Sequence, residues 1–179
     1  MTVSACDVIR YRRRVAYTSR TKGGPGVAYV VQPVTNDVIP SLERLELKPG
    51  QDRFVAPVMH SLAEAHVTRT AWPRVILDDD EVVGFVMANF DADNEQVPCR
   101  CGIWRMNVAA HAQGRGVGRF AVEEVAREAR QRGFTRMTVL WESGEGSPEG
   151  FYLRCGFRPT GQILFGEVVA ERSTEAAQQ

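Results

Sequence analysis

The sequence has few of the residues that build metal sites or disulfide frameworks. Its four cysteines include no Cys-x-x-Cys pair, and its three histidines lack the spacing of metal ligands. We therefore expect reduced thiols and no bound metal. No apolar run approaches the roughly 20 residues of a membrane-spanning helix, and no secretory signal segment is present. These absences favour a soluble cytoplasmic protein.

The chain also lacks a net charge of either sign, because 22 basic residues balance 22 acidic ones. Residues 1–26 nevertheless contain six basic residues and one acidic residue, so the rest of the chain has a net charge of −5. This stretch predicts a flexible basic extension. It is short and lacks the repeated basic and aromatic pattern of a nucleic-acid arm, so no nucleic-acid partner is expected. The acidic remainder suits a cationic substrate.

The remaining residues are numerous enough to enclose one hydrophobic core, since 44% of the chain is hydrophobic. Hydrophobic periodicity predicts ten elements in the order strand, two helices, three strands, helix, strand, short helix and strand. Their predicted positions are 28–34, 34–47, 51–67, 74–77, 82–90, 100–109, 119–133, 136–141, 147–156 and 161–172. This order favours an α/β or α+β domain over 27–172 with one βαβ unit, followed by a polar tail at 173–179.

The stretch HAQGRGVGRF, residues 111–120, places three glycines at alternate positions before the most regular predicted helix. Glycines let backbone N–H groups point into such a loop, and the N–H groups of a first helical turn have no helical partners, so the pattern predicts an anion site. A P-loop is excluded because no lysine follows these glycines. A dinucleotide site remains an alternative, since Gly116 to Ala121 fits G-x-G-x-x-A and Glu142 follows. A glycine turn without a ligand is the other alternative.

Two motifs resemble those of the GNAT N-acetyltransferase superfamily. Residues 113–118, QGRGVG, match its acyl-CoA pyrophosphate loop, Gln/Arg-x-x-Gly-x-Gly/Ala. Residues 151–157, FYLRCGF, resemble its Phe/Leu-Tyr-x-x-x-Gly-Phe element and follow one helix and one strand later, as in the superfamily. The resemblance covers about residues 27–172. It implies a mixed, mostly antiparallel central sheet with helices on both faces and one βαβ acyl-CoA-binding unit.

The resemblance implies transfer of an acetyl group from acetyl-CoA to a primary amine by direct attack in a ternary complex. The implied acetyl-CoA-binding residues are Met106, Asn107, Val108, Gln113, Gly114, Arg115, Gly116, Val117, Gly118 and Arg119. The first three would act through the main chain of a bulged strand. Tyr152 is implied as the acid that protonates the departing thiolate. The attacking ammonium, with a pKa near ~10.4, must first lose a proton, for which Glu142 and Glu64 are candidate bases.

Several stretches resemble one branch of the superfamily, the bacterial spermine/spermidine (diamine) acetyltransferases: FVAPVMHSLAEA, IWRMNV, GEGSPEGFY and GEVVAER. The branch implies a polyamine acceptor, and Glu64, Glu142, Glu145 and Glu167 are candidates to receive it. Other acceptors remain open, namely an aminoglycoside, a small metabolite amine or a protein N-terminus. An acyl-CoA-binding module without turnover is a further alternative, and a homodimer is compatible with the resemblance.

Overall fold

A computed structural model describes residues 29–175 of the chain. Its strands are β1 (Tyr29–Pro33), β2 (Ala71–Asp78), β3 (Glu81–Phe90), β4 (Cys101–Val108), β5 (Arg136–Trp141), β6 (Arg158–Leu164) and β7 (Glu167–Ser173). Its helices are α1 (Ile39–Glu43), α2 (Val58–Val67), α3 (Val117–Gln131) and α4 (Glu149–Arg154). The strands form one sheet in the order β1-β2-β3-β4-β5-β7-β6. Within the described sheet, only β4 and β5 pair in parallel, and α3 connects them, which confirms the predicted mostly antiparallel sheet with one βαβ unit.

Helix α3 covers one face of the sheet, and it forms where the periodicity predicts it. Five apolar residues that share one face of this helix are all buried: Val117, Phe120, Ala121, Val125 and Ala129. Gly133 follows the helix with a φ of 86°, a left-handed conformation that glycine adopts without a Cβ penalty. The helical spacing of the apolar residues therefore determines where this helix lies, and Gly133 marks its end.

The ion pairs around α3 agree only in part with the helical spacing. Glu128 pairs with Arg132 at 2.9 Å, as the i,i+4 rule predicts. Glu123, although one helical turn from Arg127, contacts Arg172 of β7 at 2.8 Å. Arg127 pairs instead with Glu124. The carboxylate of Glu123 thus pairs with the buried Arg172 of β7 and not with a residue of its own helix.

Helices α1 and α2 cover the opposite face, where Leu42 and Val58 pack against Phe85 and other strand residues. The second helix is shorter than the predicted 51–67, since it begins at Val58. Pro57 is its extended N-cap residue, and proline disfavours a helical conformation in the residue before it. The seven residues before Val58 therefore form a loop.

The C-terminal region differs from the prediction of one strand, because β6 and β7 form a hairpin. Phe165 and Gly166 make its two-residue turn, with φ values of 56° and 84°. A phenylalanine rarely adopts such a φ, so the sequence does not mark the turn. Thr174 is fully buried beyond the predicted domain end. The predicted extension at 1–26 and the last four residues of the predicted tail lie outside the described residues.

Candidate active site

Strands β4 and β5 pair over only a short stretch and then separate. Within the described sheet, they pair at Gly102 with Thr138 and at Ile103 with Val139. Glycine permits the close approach at the first pair, since a Cβ on Gly102 would lie 2.7 Å from the carbonyl oxygen of Thr138. Beyond Ile103 the strands leave an open cleft of about 1290 Å³.

A β-bulge in β4 lies where this separation begins. Ala88 of β3 pairs with Ile103 and Met87 pairs with Arg105, so Trp104 is the extra residue. One inserted residue reverses the alternation of side chains along a strand. Ile103 therefore packs in the cluster under α3, whereas Arg105 turns toward α2.

The end of β4 directs backbone groups into the cleft. The N–H of Ala109 donates to the carbonyl of Val83, on the β3 side, at 3.0 Å. Backbone direction alternates along a strand, so the N–H of Asn107 also faces β3, and those of Met106 and Val108 face the cleft. Of the three residues predicted here, Met106 and Val108 line the cleft, and Asn107 is buried behind them.

The glycine-rich loop positions a second set of backbone donors. Gly114 and Gly116 have φ values of 83° and 96°, and Gly116 is the N-cap residue of α3. The first α-helical bond runs from the N–H of Phe120 to the carbonyl of Gly116 at 2.9 Å. The N–H groups of residues 117–119 therefore have no helical acceptor, and the N-cap residue Gly116 has no side chain that could cap this end of α3. Such an N-terminus favours a bound anion.

The two arginines of the loop point in different directions. The guanidinium of Arg115 pairs with Asp78 at 2.9 Å, outside the cleft. Arg119 lines the cleft, and its Nη2 donates to the carbonyl of Arg154 at 3.0 Å. Of these two side chains, only that of Arg119 is therefore placed to face a ligand in the cleft.

Gln113 connects the loop with its surroundings. Its Nε2 donates to the carbonyl of Val108 at 3.0 Å and to Oε1 of Gln51 at 2.7 Å, and Gln51 returns a hydrogen bond of 3.2 Å. This reciprocal pair ties the loop before α2 to the end of β4. Sequence reasoning missed Gln51, since nothing in its local pattern indicates a partner 62 residues away.

Tyr152 lies in α4 inside an aromatic cluster and lines the cleft. Its ring stacks on Trp141 with centroids 5.8 Å apart and contacts the edges of Phe151 and Phe157. Burial raises the pKa of Tyr152 above its usual value of 10, and nearby negative charge adds to the effect. The phenol is therefore a protonated donor throughout the physiological range.

Three of the four candidate carboxylates line the cleft: Glu64 on α2, Glu142 after β5 and Glu167 at the start of β7. Burial raises the pKa of Glu167, the positive charge of Arg105 lowers it, and the negative charge of Glu142 raises it further. Glu145 lies apart from the other three, beside a smaller cavity of about 430 Å³.

Arg105 is a charged residue of the cleft that sequence reasoning missed. Its Nη2 lies 3.3 Å and 3.2 Å from the two carboxylate oxygens of Glu64. His60 lies 3.5 Å from the same carboxylate. Strict alternation along β4 would place Arg105 in the core under α3, so only the bulge at Trp104 explains its position. A bulge leaves no simple signal in the sequence.

The sequence profile of the Acetyltransferase (GNAT) family matches residues 39–157, about two thirds of the chain. The chain belongs to the GNAT acetyltransferase family. It is thus an acetyl-CoA-dependent N-acetyltransferase, and the anion site at α3 fits the phosphates of that co-substrate. Among curated proteins, none matches this GNAT sequence significantly.

Solved structures share the GNAT fold. An acetyltransferase from Thermus thermophilus is 20% identical with a TM-score of 0.64, covering 81% of this chain and 96% of its own. PaiA N-acetyltransferase from Thermoplasma acidophilum, in complex with coenzyme A, is 9% identical with a TM-score of 0.62 and coverages of 82% and 99%. An aminoglycoside 6′-N-acetyltransferase complexed with coenzyme A is 11% identical with a TM-score of 0.61 and coverages of 84% and 99%. At these identities the likeness concerns the fold.

Two further findings bear on other classes of site. Within residues 29–175, none of the helices is both long and apolar enough to cross a membrane. In the same range, no group of three or more histidine, cysteine or acidic residues is arranged to hold a metal ion. Cys99, Cys101 and Cys155 are free thiols.

Proposed function

We propose that this acetyltransferase moves the acetyl group of acetyl-CoA to a primary amine of a polyamine by direct attack in a ternary complex. The observation that carries the proposal is the convergence of three carboxylates and Tyr152 on one cleft that also holds the open amides of α3. A polyamine carries several ammonium groups at neutral pH, and such a cleft offers them counter-charges.

The co-substrate side of the cleft is proposed to act through backbone groups. The N–H groups of residues 117–119, together with the turn at Gly114 and Gly116, suit the pyrophosphate. The N–H groups of Met106 and Val108 have no strand partner on the β5 side within the described sheet. They suit the pantetheine arm, and one of them suits the thioester oxygen as negative charge develops on it.

Tyr152 is proposed as the proton donor. When the amine nitrogen forms its bond to the carbonyl carbon, the C–S bond breaks and the electron pair leaves with sulfur. The resulting thiolate, with an intrinsic pKa near ~8.5 as judged from cysteine, takes the phenolic proton, and the second proton that the nitrogen loses on becoming an amide restores the phenol. Since burial raises the pKa of Tyr152, this proton is present across the physiological range.

Glu167 and Glu142 are proposed to receive the proton that the ammonium loses before attack. Glu167 suits this task because burial raises its pKa, which brings the carboxylate closer to the pKa of the amine. Glu64 is less suited, since its carboxylate pairs with the guanidinium of Arg105.

A thiol-release assay with acetyl-CoA tests the proposal. The panel contains spermidine, 1,4-diaminobutane, butylamine, an aminoglycoside and a peptide with a free N-terminus, and a reaction without amine gives the hydrolysis baseline. We expect release that depends on the amine and is fastest with a polyamine. Faster release with the aminoglycoside or the peptide would contradict the acceptor class. No amine-dependent release with any member would contradict the assigned reaction for this chain.

A further inference from the structure

Four charged side chains surround the part of the cleft that we call the acceptor end: Glu64, Arg105, Glu142 and Glu167. With all four ionised, their net charge is −2. Arg105 is the only cation among them, and it lies on β4 next to Met106, whose backbone N–H faces the cleft. An internal cation in a site for cationic acceptors calls for an explanation.

The contacts of Arg105 are incomplete. Its Nη2 contacts Glu64 at 3.3 Å and 3.2 Å, and its Nη1 donates to the carbonyl of Trp104 at 2.9 Å. Its Nε is buried without a hydrogen-bond partner among the described residues. Oε2 of Glu64 is also buried, and its contact with Nη2 at 3.2 Å does not have the geometry of a hydrogen bond. An arginine that served only to stabilise the fold would be expected to pair more of its N–H groups, because each unpaired buried donor costs free energy.

The bulge at Trp104 places this charge between two carboxylate-bearing elements. It turns Arg105 toward Glu64 on α2, and the charge of Arg105 also acts on Glu167 across the separated strands. The guanidinium therefore occupies a position in which an ammonium group would find the same carboxylate partners.

We propose that Arg105 determines the charge specificity of the acceptor end by occupying one ammonium position itself. It neutralises Glu64 and repels the second ammonium of a diamine, so that it limits the preference of the acidic cleft for acceptors with several charges. The inference rests on the proposed amine acceptor and names which residue selects among amines.

Two matched amines test it: 1,4-diaminobutane and butylamine have the same carbon chain and differ by one ammonium. At a separation of about 6 Å and an effective dielectric constant of about 60, removing one positive charge changes the affinity for the second ammonium about fivefold. Arg105→Gln should therefore tighten diaminobutane binding about fivefold relative to butylamine. Arg105→Lys, which keeps the charge, should retain the wild-type ratio.

Glu64→Gln supplies an independent test, because it leaves Arg105 without its partner. It should shift the ratio in the opposite direction, toward butylamine, by a similar factor. Arg136→Gln is the control for loss of a surface charge, since Arg136 pairs with Glu171 away from the cleft. Thermal melting of each variant shows whether it is folded.

Dissociation constants for the two amines are measured by titration calorimetry with CoA bound, and Michaelis constants are measured where turnover occurs. An unchanged ratio in folded Arg105→Gln, or no diamine binding by this variant, would overturn the inference. If Arg105→Gln does not fold, an unchanged ratio in Glu64→Gln overturns it. A wild type that binds the amines without thiol release would contradict the proposed function alone, because the affinity ratios would still be measured.

Discussion

Removing the hydroxyl of Tyr152 separates chemistry from packing. Tyr152→Phe keeps the ring that stacks on Trp141 at 5.8 Å and that contacts Phe151 and Phe157. The lost hydroxyl makes no hydrogen bond to any protein group between residues 29 and 175. We therefore expect the melting temperature of the variant to stay close to that of the wild type.

Tyr152→Phe should lower kcat much more strongly than it lowers stability. A positioned general acid contributes about 10²- to 10⁴-fold to a rate, and a thiolate with a pKa near ~8.5 is a moderately good leaving group, so the lower end applies. We expect a decrease of about 100-fold in kcat, equivalent to about 2.7 kcal/mol, with little change in the KM for acetyl-CoA. Initial rates of thiol release at saturating acceptor measure it.

A control separates the hydroxyl from the aromatic cluster. Phe157→Leu perturbs the same cluster at a fully buried member and leaves the hydroxyl in place. It should lower the melting temperature but change kcat by less than about threefold. The assignment of Tyr152 as proton donor is refuted if Tyr152→Phe keeps kcat within about threefold of wild type, or if Phe157→Leu lowers kcat as strongly.

Two more predictions concern the loop and the proposed base. Gly116→Ala forces a φ of 96° on alanine and should lower the free energy of unfolding in urea by about 1 kcal/mol. Gly118→Ala brings a Cβ within 3.0 Å of the Phe151 ring and should raise the KM for acetyl-CoA. An unchanged free energy of unfolding in the first variant, or an unchanged KM in the second, would contradict the described loop. Because the pKa of Glu167 is raised, kcat/KM for the acceptor should increase with pH as this carboxyl loses its proton, above the usual range of a glutamate. Glu167→Gln should remove this acid limb, whereas the control Glu171→Gln should keep it. An acid limb that persists in Glu167→Gln would exclude Glu167 as the base.

The elements that the sequence predicts well are those with a strong local pattern. The stripe through Phe120 and Val125 defines α3, and the β-branched run of β3 defines a buried strand. Where the local signal is mixed or absent, the prediction fails. The residues before Pro57 have helical spacing but form a loop, and Phe165 lies in a turn without a turn signature.

The candidate site shows the same division. The loop at Gly114 and Gly116 was predictable because glycines mark left-handed positions and precede a helix. The direction of the Arg115 guanidinium was not, since its partner Asp78 lies 37 residues away. Arg105 was not predictable either, because its orientation depends on pairing with β3 and not on its own neighbours.

The bulge at Trp104 links the two halves of the proposed reaction. One extra residue in β4 turns Arg105 toward Glu64, and it sets the register in which the N–H groups of Met106 and Val108 face the cleft. The proposed acceptor charge selection and the proposed backbone contacts to the thioester therefore depend on the same strand register. A change of register by one residue would reverse both the direction of the Arg105 side chain and the direction of these N–H groups. Substitutions of Glu64 and Arg105 therefore alter acceptor specificity without disturbing the backbone contacts, whereas a change in the register of β4 would alter the two together.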